Sequence, residues 1–405
     1  MTLDRPAPVA PSSPVSCPGT PPESLTGREA VFPPEEFQAR QDRARAAMRR
    51  AGLDALIVTG PENIFWLSGR QTAGYFAFQA LVLPADGAPT LLVRQLEVPG
   101  AMANTWLTDI VAYQDGEDPA EVLLALLRRH GVARVAIERA GFFLSPRFMD
   151  HLEGRRGTPF LDGSDLIPGL RLIKSPMEQA AVRLAARHAE VAMTAGLAAC
   201  SAGQTENSVA AAMLSAAVLD GSEAMAMEPL VSSGPRSGLP HMTWRRRPLA
   251  LGDPLFLELA GCHDRYHAAL MRTVWIGTPP PDAQRMMDAA LRALDAALAA
   301  LRPGQPCAAP HEAAQAVIDE AGYTAAFRKR IGYSMGLAFA PDWGEGAILD
   351  LFTGRSEVLA PGMVFHLPAT LRVPGLWTVG ASETVIMTET GAEVLSSLPR
   401  TIQER

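Results

Sequence analysis

The chain has 405 residues, of which 48% are apolar, and its 36 Lys and Arg stand against 43 Asp and Glu for a net charge of −7. That length supports two or three domains with substantial cores, and the acidic balance lacks the basic face that a nucleic-acid surface requires. No apolar run reaches a bilayer span, and Cys17, Cys200, Cys262 and Cys307 are scattered without a CxxC pair, which argues against structural zinc and for a reducing cytoplasm.

Residues 1–30 are rich in Pro, Ser and Thr and have no apolar centre, so they read as a disordered tail and not a signal peptide. Order is expected from Phe32. Phe37, Ala44, Met48 and Ala51 recur at helical spacing over 35–51, and Gly52 follows as a stop. Leu53 to Val58 then reads as a buried strand. A second cycle follows, with a helix over 119–130 and a strand over 133–138. Helices alternating with short apolar runs predict an α/β domain over residues 31–170.

Arg171-Leu172-Ile173-Lys174-Ser175-Pro176-Met177-Glu178 is the punctuation between domains. Ser175 suits an N-cap, Pro176 the first helical position, and Glu178 completes a capping box, predicting an Ala-rich helix to about Ala199. Beyond it the pattern gives a helix over 205–219, strands over 226–276, helices over 282–302 and 309–321, and more strands to the C-terminus. Helices followed by strands, twice over, predict an α+β domain of two similar halves across 171–400. The Arg245-Arg246-Arg247 run reads as a solvated turn.

The chemistry concentrates around Pro240-His241-Met242-Thr243-Trp244 and Phe256-Leu257-Glu258-Leu259-Ala260-Gly261. A carboxylate inside such an apolar strand is desolvated, which raises its pKa, unless one side meets water as at an ordinary strand end. Cys262 and His263 are adjacent on a strand, point to opposite faces and so make no dyad.

These segments, with the IGYSMGL, PGMVFHLP and SETVIMTETGAEVLS stretches, resemble the creatinase and aminopeptidase-P branch of the pita-bread hydrolases over residues 32–400. The resemblance implies a C-terminal α+β pita-bread (creatinase-like) domain behind the N-terminal α/β domain. The metallopeptidases of that fold hold two metal ions on two aspartates, a histidine and two glutamates. At the matching positions this chain carries Glu258, Ala269, Tyr333, Pro368 and Glu383, a set unable to hold a dinuclear centre, so neither metal nor other cofactor is expected. Among the metal-free branches, PHMTW, Glu258 to Gly277, Gly332 to Leu337 and Pro341-Asp342-Trp343-Gly344-Glu345 are most similar to ectoine hydrolase. Three departures stand out: Arg70 and Gln71 follow the Trp66-Leu67-Ser68-Gly69 turn, Gly380 replaces an expected acid, and Phe365 to Trp377 differs in length and content.

The resemblance implies catalytic roles for Glu258 (nucleophile or general base), His241 (proton donor to the leaving nitrogen) and Glu383 (positioning water or a cationic group). Each has a plain alternative: a strand-end glutamate, a strand histidine capped by a carbonyl, and a leftover acid paired with Arg272. Substrate-binding roles fall to His267, Tyr333, Trp343 (its face to a delocalised cation), His366 and Arg70, although His267 also fits an ordinary sheet residue and Trp343 a core anchor. Arg272 reads as structural. A homodimer is expected, with the N-terminal domain contributing to the partner's site, and with neither nucleic acid nor membrane as partner. The predicted activity is metal-independent hydrolysis of a C–N bond in a small cyclic amidine, amide or guanidino compound. The competing readings are an Xaa-Pro aminopeptidase, a catalytically silent homologue, and a different ring-opening step on another small molecule.

Overall fold

The computed structural model describes residues 26–405. The expected disordered tail therefore lies outside the described residues up to position 25. Residues 26–30 form a turn whose Gly27 and Glu29 amides donate to Met102 O and Ala103 O.

In the N-terminal domain α1 (Pro34–Arg50) leads into β1 (Ala55–Val58), α2 (Pro61–Ser68), β2 (Ala80–Pro84), β3 (Thr90–Arg94), α3 (Val98–Asn104) and β4 (Ile110–Tyr113). The domain is completed by α4 (Pro119–His130), β5 (Val135–Ile137), α5 (Pro146–Arg156), β6 (Leu161–Asp162) and α6 (Leu166–Arg171). The strands make one mixed sheet in the order β4-β3-β2-β1-β5-β6, with β1 parallel to β5 and antiparallel to β2. All four residues of β1 are buried, because helices cover both faces.

The second domain opens at α7 (Pro176–Ala199), where the Ser175 and Glu178 capping box is present as predicted. It continues through α8 (Glu206–Leu219), β7 (Leu230–Ser233), β8 (Pro254–His263), β9 (Tyr266–Trp275), α9 (Pro281–Ala300) and α10 (Ala309–Glu320). Then come β10 (Gly332–Ser334), β11 (Asp350–Leu351), β12 (Val364–Val373), β13 (Trp377–Thr388), β14 (Gly391–Val394) and β15 (Gln403–Glu404). Two sheets result, β15-β9-β8-β7 and β11-β10-β12-β13-β14. α7 and α8 pack on the first, α9 and α10 on the second, giving the two similar halves expected from the sequence.

The halves are stitched between β9 and β13. Thr384 Oγ1 donates to Ala269 O (2.8 Å) and accepts from Ala269 N (3.0 Å), while Thr273 Oγ1 donates to Gly380 O (2.8 Å) and accepts from Gly380 N (3.1 Å). Gly380 is forced. Its φ is +143°, and a Cβ there would stand 2.1 Å from Ala369 O, so no acid fits at this position. Two buried ion clusters tie the domains together. Glu178 Oε1 accepts from Trp66 Nε1 (3.1 Å) and Tyr266 Oη (2.8 Å), and Glu345 binds Arg171 (2.7 Å) and Lys174 (2.5 Å). The Pro341–Glu345 segment thus anchors the interdomain turn, a role its sequence did not reveal.

Candidate active site

Strand alternation builds the site. Phe256 and Glu258 project from one face of β8, and Pro368, Thr370 and Arg372 from one face of β12. With Met271, Lys329, Arg330, Tyr333, Pro240 and His241 they line a cavity of about 340 Å³ between the two sheets. The opposite faces, Leu255 and Leu257 on β8 and Leu367 and Leu371 on β12, go into the helix-side cores. The volume is at the small end for ligand pockets.

Glu258 faces this cavity without a hydrogen bond or ion pair to any described residue. Burial pushes its carboxyl up to about 7, opposed by the positive charges of Lys329 and Arg372. Burial likewise lowers Lys329 to about 7, with Glu258 pulling it back up. Lys329 Nζ donates to Pro368 O at 2.5 Å, and Arg372 Nε donates to Thr378 Oγ1 at 2.8 Å. Neither cation has a carboxylate within salt-bridge reach among the described residues. Arg330 lies over the Tyr333 ring, 4.9 Å from its centroid, and approaches Asp350 at 3.5 Å.

His241 is exposed at the cavity rim and sits in a turn after β7, not on the strand expected from PHMTW. Its φ is +54°, in the left-handed region that a non-glycine residue adopts at a cost. Backbone strain of this kind collects at functional positions.

Behind Tyr333 runs a relay of hydrogen bonds. Trp343 Nε1 donates to Tyr333 Oη (3.0 Å), and the His366 ring bridges Tyr333 Oη (2.9 Å) and Ser382 Oγ (2.7 Å). Burial, reinforced by Lys329, lowers His366 to about 3, so its neutral ring donates at one end and accepts at the other. Burial and Glu258 hold the Tyr333 hydroxyl above its ordinary value, which keeps it protonated. Trp343 is buried against this relay and does not line the cavity, so it orients Tyr333 and offers no face to a cation. His366 likewise acts from behind Tyr333.

Three expected site residues are placed elsewhere. Glu383 pairs with Leu367 across the sheet, on the helix side, where Arg272 and Arg400 each donate to its Oε1 at 3.0 Å. It is a buried ion-pair residue outside the cavity lining, the alternative foreseen for it. His267 is consumed by the fold. Its Nδ1–H donates to Arg265 O (2.9 Å) and its Nε2 accepts from Ala226 N (3.1 Å), and burial lowers it to about 4. Arg70 is buried in the N-terminal domain, bound to Glu97 (2.6 Å) and to Gln71 O, so it is not available to a ligand.

Lys329, Arg330, Thr370 and Arg372 were missed. Signals for them exist. Arg328-Lys329-Arg330 runs directly into a buried strand, and Arg372 continues the alternation of Pro368 and Thr370. The metal-ligand positions of the resemblance fare no better in space than in sequence: Ala269 and Pro368 supply no donor, Glu383 is neutralised by two arginines, and Glu258 faces two cations. No group of three His, Cys, Asp or Glu suited to a metal ion occurs among the described residues, and the residues present do not fit a dinuclear centre.

Comparison with known proteins gives this geometry a setting. Residues 40–173 match the creatinase/prolidase N-terminal domain and residues 180–389 the metallopeptidase family M24. The chain is 28% identical over 396 residues to ectoine hydrolase of Halomonas elongata, covering 91% of this chain and 97% of that one. It is 30% identical over 378 residues to a probable dipeptidase PepE of Mycobacterium tuberculosis, covering 91% and 96%. Among solved structures, dipeptidase PepE from Mycobacterium ulcerans superposes with a TM-score of 0.80 at 27% identity, covering 92% of this chain and 99% of that one. The prolidase from Pyrococcus horikoshii, also at 0.80 but 23% identical and covering 89% and 99%, shares the fold. No described helix is long and apolar enough to cross a membrane.

Proposed function

From a chain that belongs to the metallopeptidase family M24 yet lacks its donor set, we propose a hydrolase that adds water across a C–N bond of a small molecule without a bound metal. The observation that carries this reading is Glu258, a desolvated carboxylate with no protein partner, facing a small cavity with a histidine at its rim. In the proposed reaction the Glu258 carboxylate acts on the carbon of an amidine or amide, by direct attack or by taking a proton from the attacking water. His241 gives a proton to the departing nitrogen. Either course consumes one water and breaks one C–N bond. Tyr333, held by Trp343 and His366, hydrogen-bonds the polar atom on the reacting carbon. The similarity to ectoine hydrolase supports a cyclic amidine as the first substrate to examine.

A second reading, a dipeptidase, is favoured by the similarity to dipeptidases of the family. Against it stand the neutral side chains at Ala269 and Pro368. One experiment separates the two. Protein freed of metal by chelation is incubated with ectoine, 5-hydroxyectoine and creatine, and separately with an Xaa-Pro dipeptide in Mn²⁺, and products are read by mass. Addition of one water to a member of the first set, undiminished by chelation, is expected. Dipeptide cleavage that requires stoichiometric Mn²⁺ would replace this reading with the second. A homodimer belongs to the same proposal and is checked by sedimentation velocity. Arg70, bound to Glu97, has no part in it.

A further inference from the structure

Resting on that reading, we propose that Lys329 and Arg372 form a recognition subsite for one carboxylate, so that the substrates are small carboxylic acids bearing the scissile C–N group. Two cations, Lys329 and Arg372, line the cavity with Glu258 as the single acid, and Arg330 adds a third charge at the wall beside Asp350. Glu258 can offset one of the first two. The other is left without a counter-charge among the described residues, and burial lowers both Lys329 and Arg372 below their ordinary values. Gathering cations under desolvation is costly unless an anion completes the set.

The geometry narrows the anion. Lys329 has one hydrogen bond, to Pro368 O, and Arg372 spends only Nε, on Thr378. An ammonium keeps further protons to donate, and the outer edge of a guanidinium keeps the paired donors that match a planar carboxylate. A dianion such as a phosphate monoester would suffer repulsion from Glu258 in the same small space, whereas a single negative charge balances the site. Lys329, Thr370 and Arg372 line the same cavity as Glu258, Tyr333 and the rim histidine. The carboxylate therefore fixes which end of the substrate meets Glu258, and neutral amides are discriminated against at binding, before chemistry.

The test measures binding separately from turnover. Ectoine, N-carbamoylglycine and N-acetylglycine are each titrated by calorimetry against their own primary carboxamides, with wild type, Lys329→Met, Lys329→Arg, Arg372→Met and Glu258→Gln. The subsite predicts that at least one acid binds about tenfold to a hundredfold more tightly than its amide, the range of a charge-assisted contact. That ratio falls to near one in Lys329→Met and Arg372→Met, survives in Lys329→Arg, and rises in Glu258→Gln, which hydrolyses nothing. Circular dichroism confirms that each variant is folded, and Lys329→Arg keeps the test valid if a Met variant is not. Equal binding of acids and amides, a preference untouched by both Met variants, or no binding by any of the acids at millimolar concentration would overturn the subsite. Acid preference without any turnover would sink the hydrolase reading and leave the subsite standing. Turnover of an amide as efficient as that of its acid would do the reverse.

Discussion

Replacing Glu258 by Gln preserves the shape of the side chain and removes its charge, which makes the cost of holding an acid in this cavity measurable. Burial moves the carboxyl from its ordinary 4.5 to about 7. At about 1.4 kcal/mol per pH unit, the ionised form carries a penalty of about 3 kcal/mol in the folded state, an upper value because the cavity opens to water. The folded pKa is raised, so the stability the protonated carboxyl contributes is present below pH 4.5 and lost as pH rises through 7. The Gln variant, uncharged throughout, does not follow that loss. At pH 5 the variant should be more stable by no more than about 1 kcal/mol. At pH 9 the variant should be more stable by up to about 3 kcal/mol. The high pH matters for a second reason: Lys329, lowered to about 7, is then neutral in the folded protein, and the comparison no longer includes its attraction to Glu258. Near pH 7 the gain should be smaller, since Gln leaves Lys329 without its counter-charge. Urea unfolding followed by tryptophan fluorescence at pH 5, 7 and 9 reads this series, and activity should be abolished at each pH. A variant less stable than wild type at pH 9, or a difference equal at pH 5 and 9, would show that Glu258 is not held as a desolvated acid. The expected outcome is the trade of stability for activity that catalytic residues commonly display.

The same pair shapes the pH profile. kcat/KM should rise as Glu258 ionises and fall as Lys329 loses its proton, giving a narrow bell around pH 7; Lys329→Arg, charged at all pH values, should flatten the alkaline limb. His241→Gly should lower kcat by about 10² to 10⁴ while melting no lower than wild type, since glycine relieves the left-handed backbone at this rim position; an active His241→Gly would remove it as proton donor. Trp343→Phe should keep the core filled but free the Tyr333 hydroxyl, reducing kcat by about tenfold with a loss of about 1 kcal/mol in stability. Gly380→Ala should cost about 3 kcal/mol or more, or fail to fold, because its methyl meets Ala369 O across the β12–β13 pair; a normal melting temperature would contradict that close approach.

The sequence by itself determined the principal helices and their order, and not the elements β2, β3, α3 and β4 or the short helices α2, α5 and α6 that complete the N-terminal domain. Hydrophobic period, Gly52, and the Ser175–Glu178 box are local signals, and α1, α4, α7, α8, α9 and α10 begin and end within a few residues of where those signals lie. It also places Ala269 and Pro368, which carry no donor wherever they lie, at positions where the resemblance implies metal ligands, and it singled out Glu258, whose charge on an apolar strand is legible without a fold. Tertiary structure decided which polar residues share the cavity. A side chain's face depends on register: pairing with Leu367 turns Glu383 toward the helices, where Arg272 and Arg400 take it, while alternation from Pro368 carries Arg372 to Glu258. Hydrogen bonds across long sequence distances decided the rest, consuming His267 and Arg70 in the fold and setting Trp343 and His366 behind Tyr333. Lys329 stayed hidden in a basic run of ordinary appearance, because a lysine becomes a site residue only when the fold removes its water and puts a carboxylate opposite it.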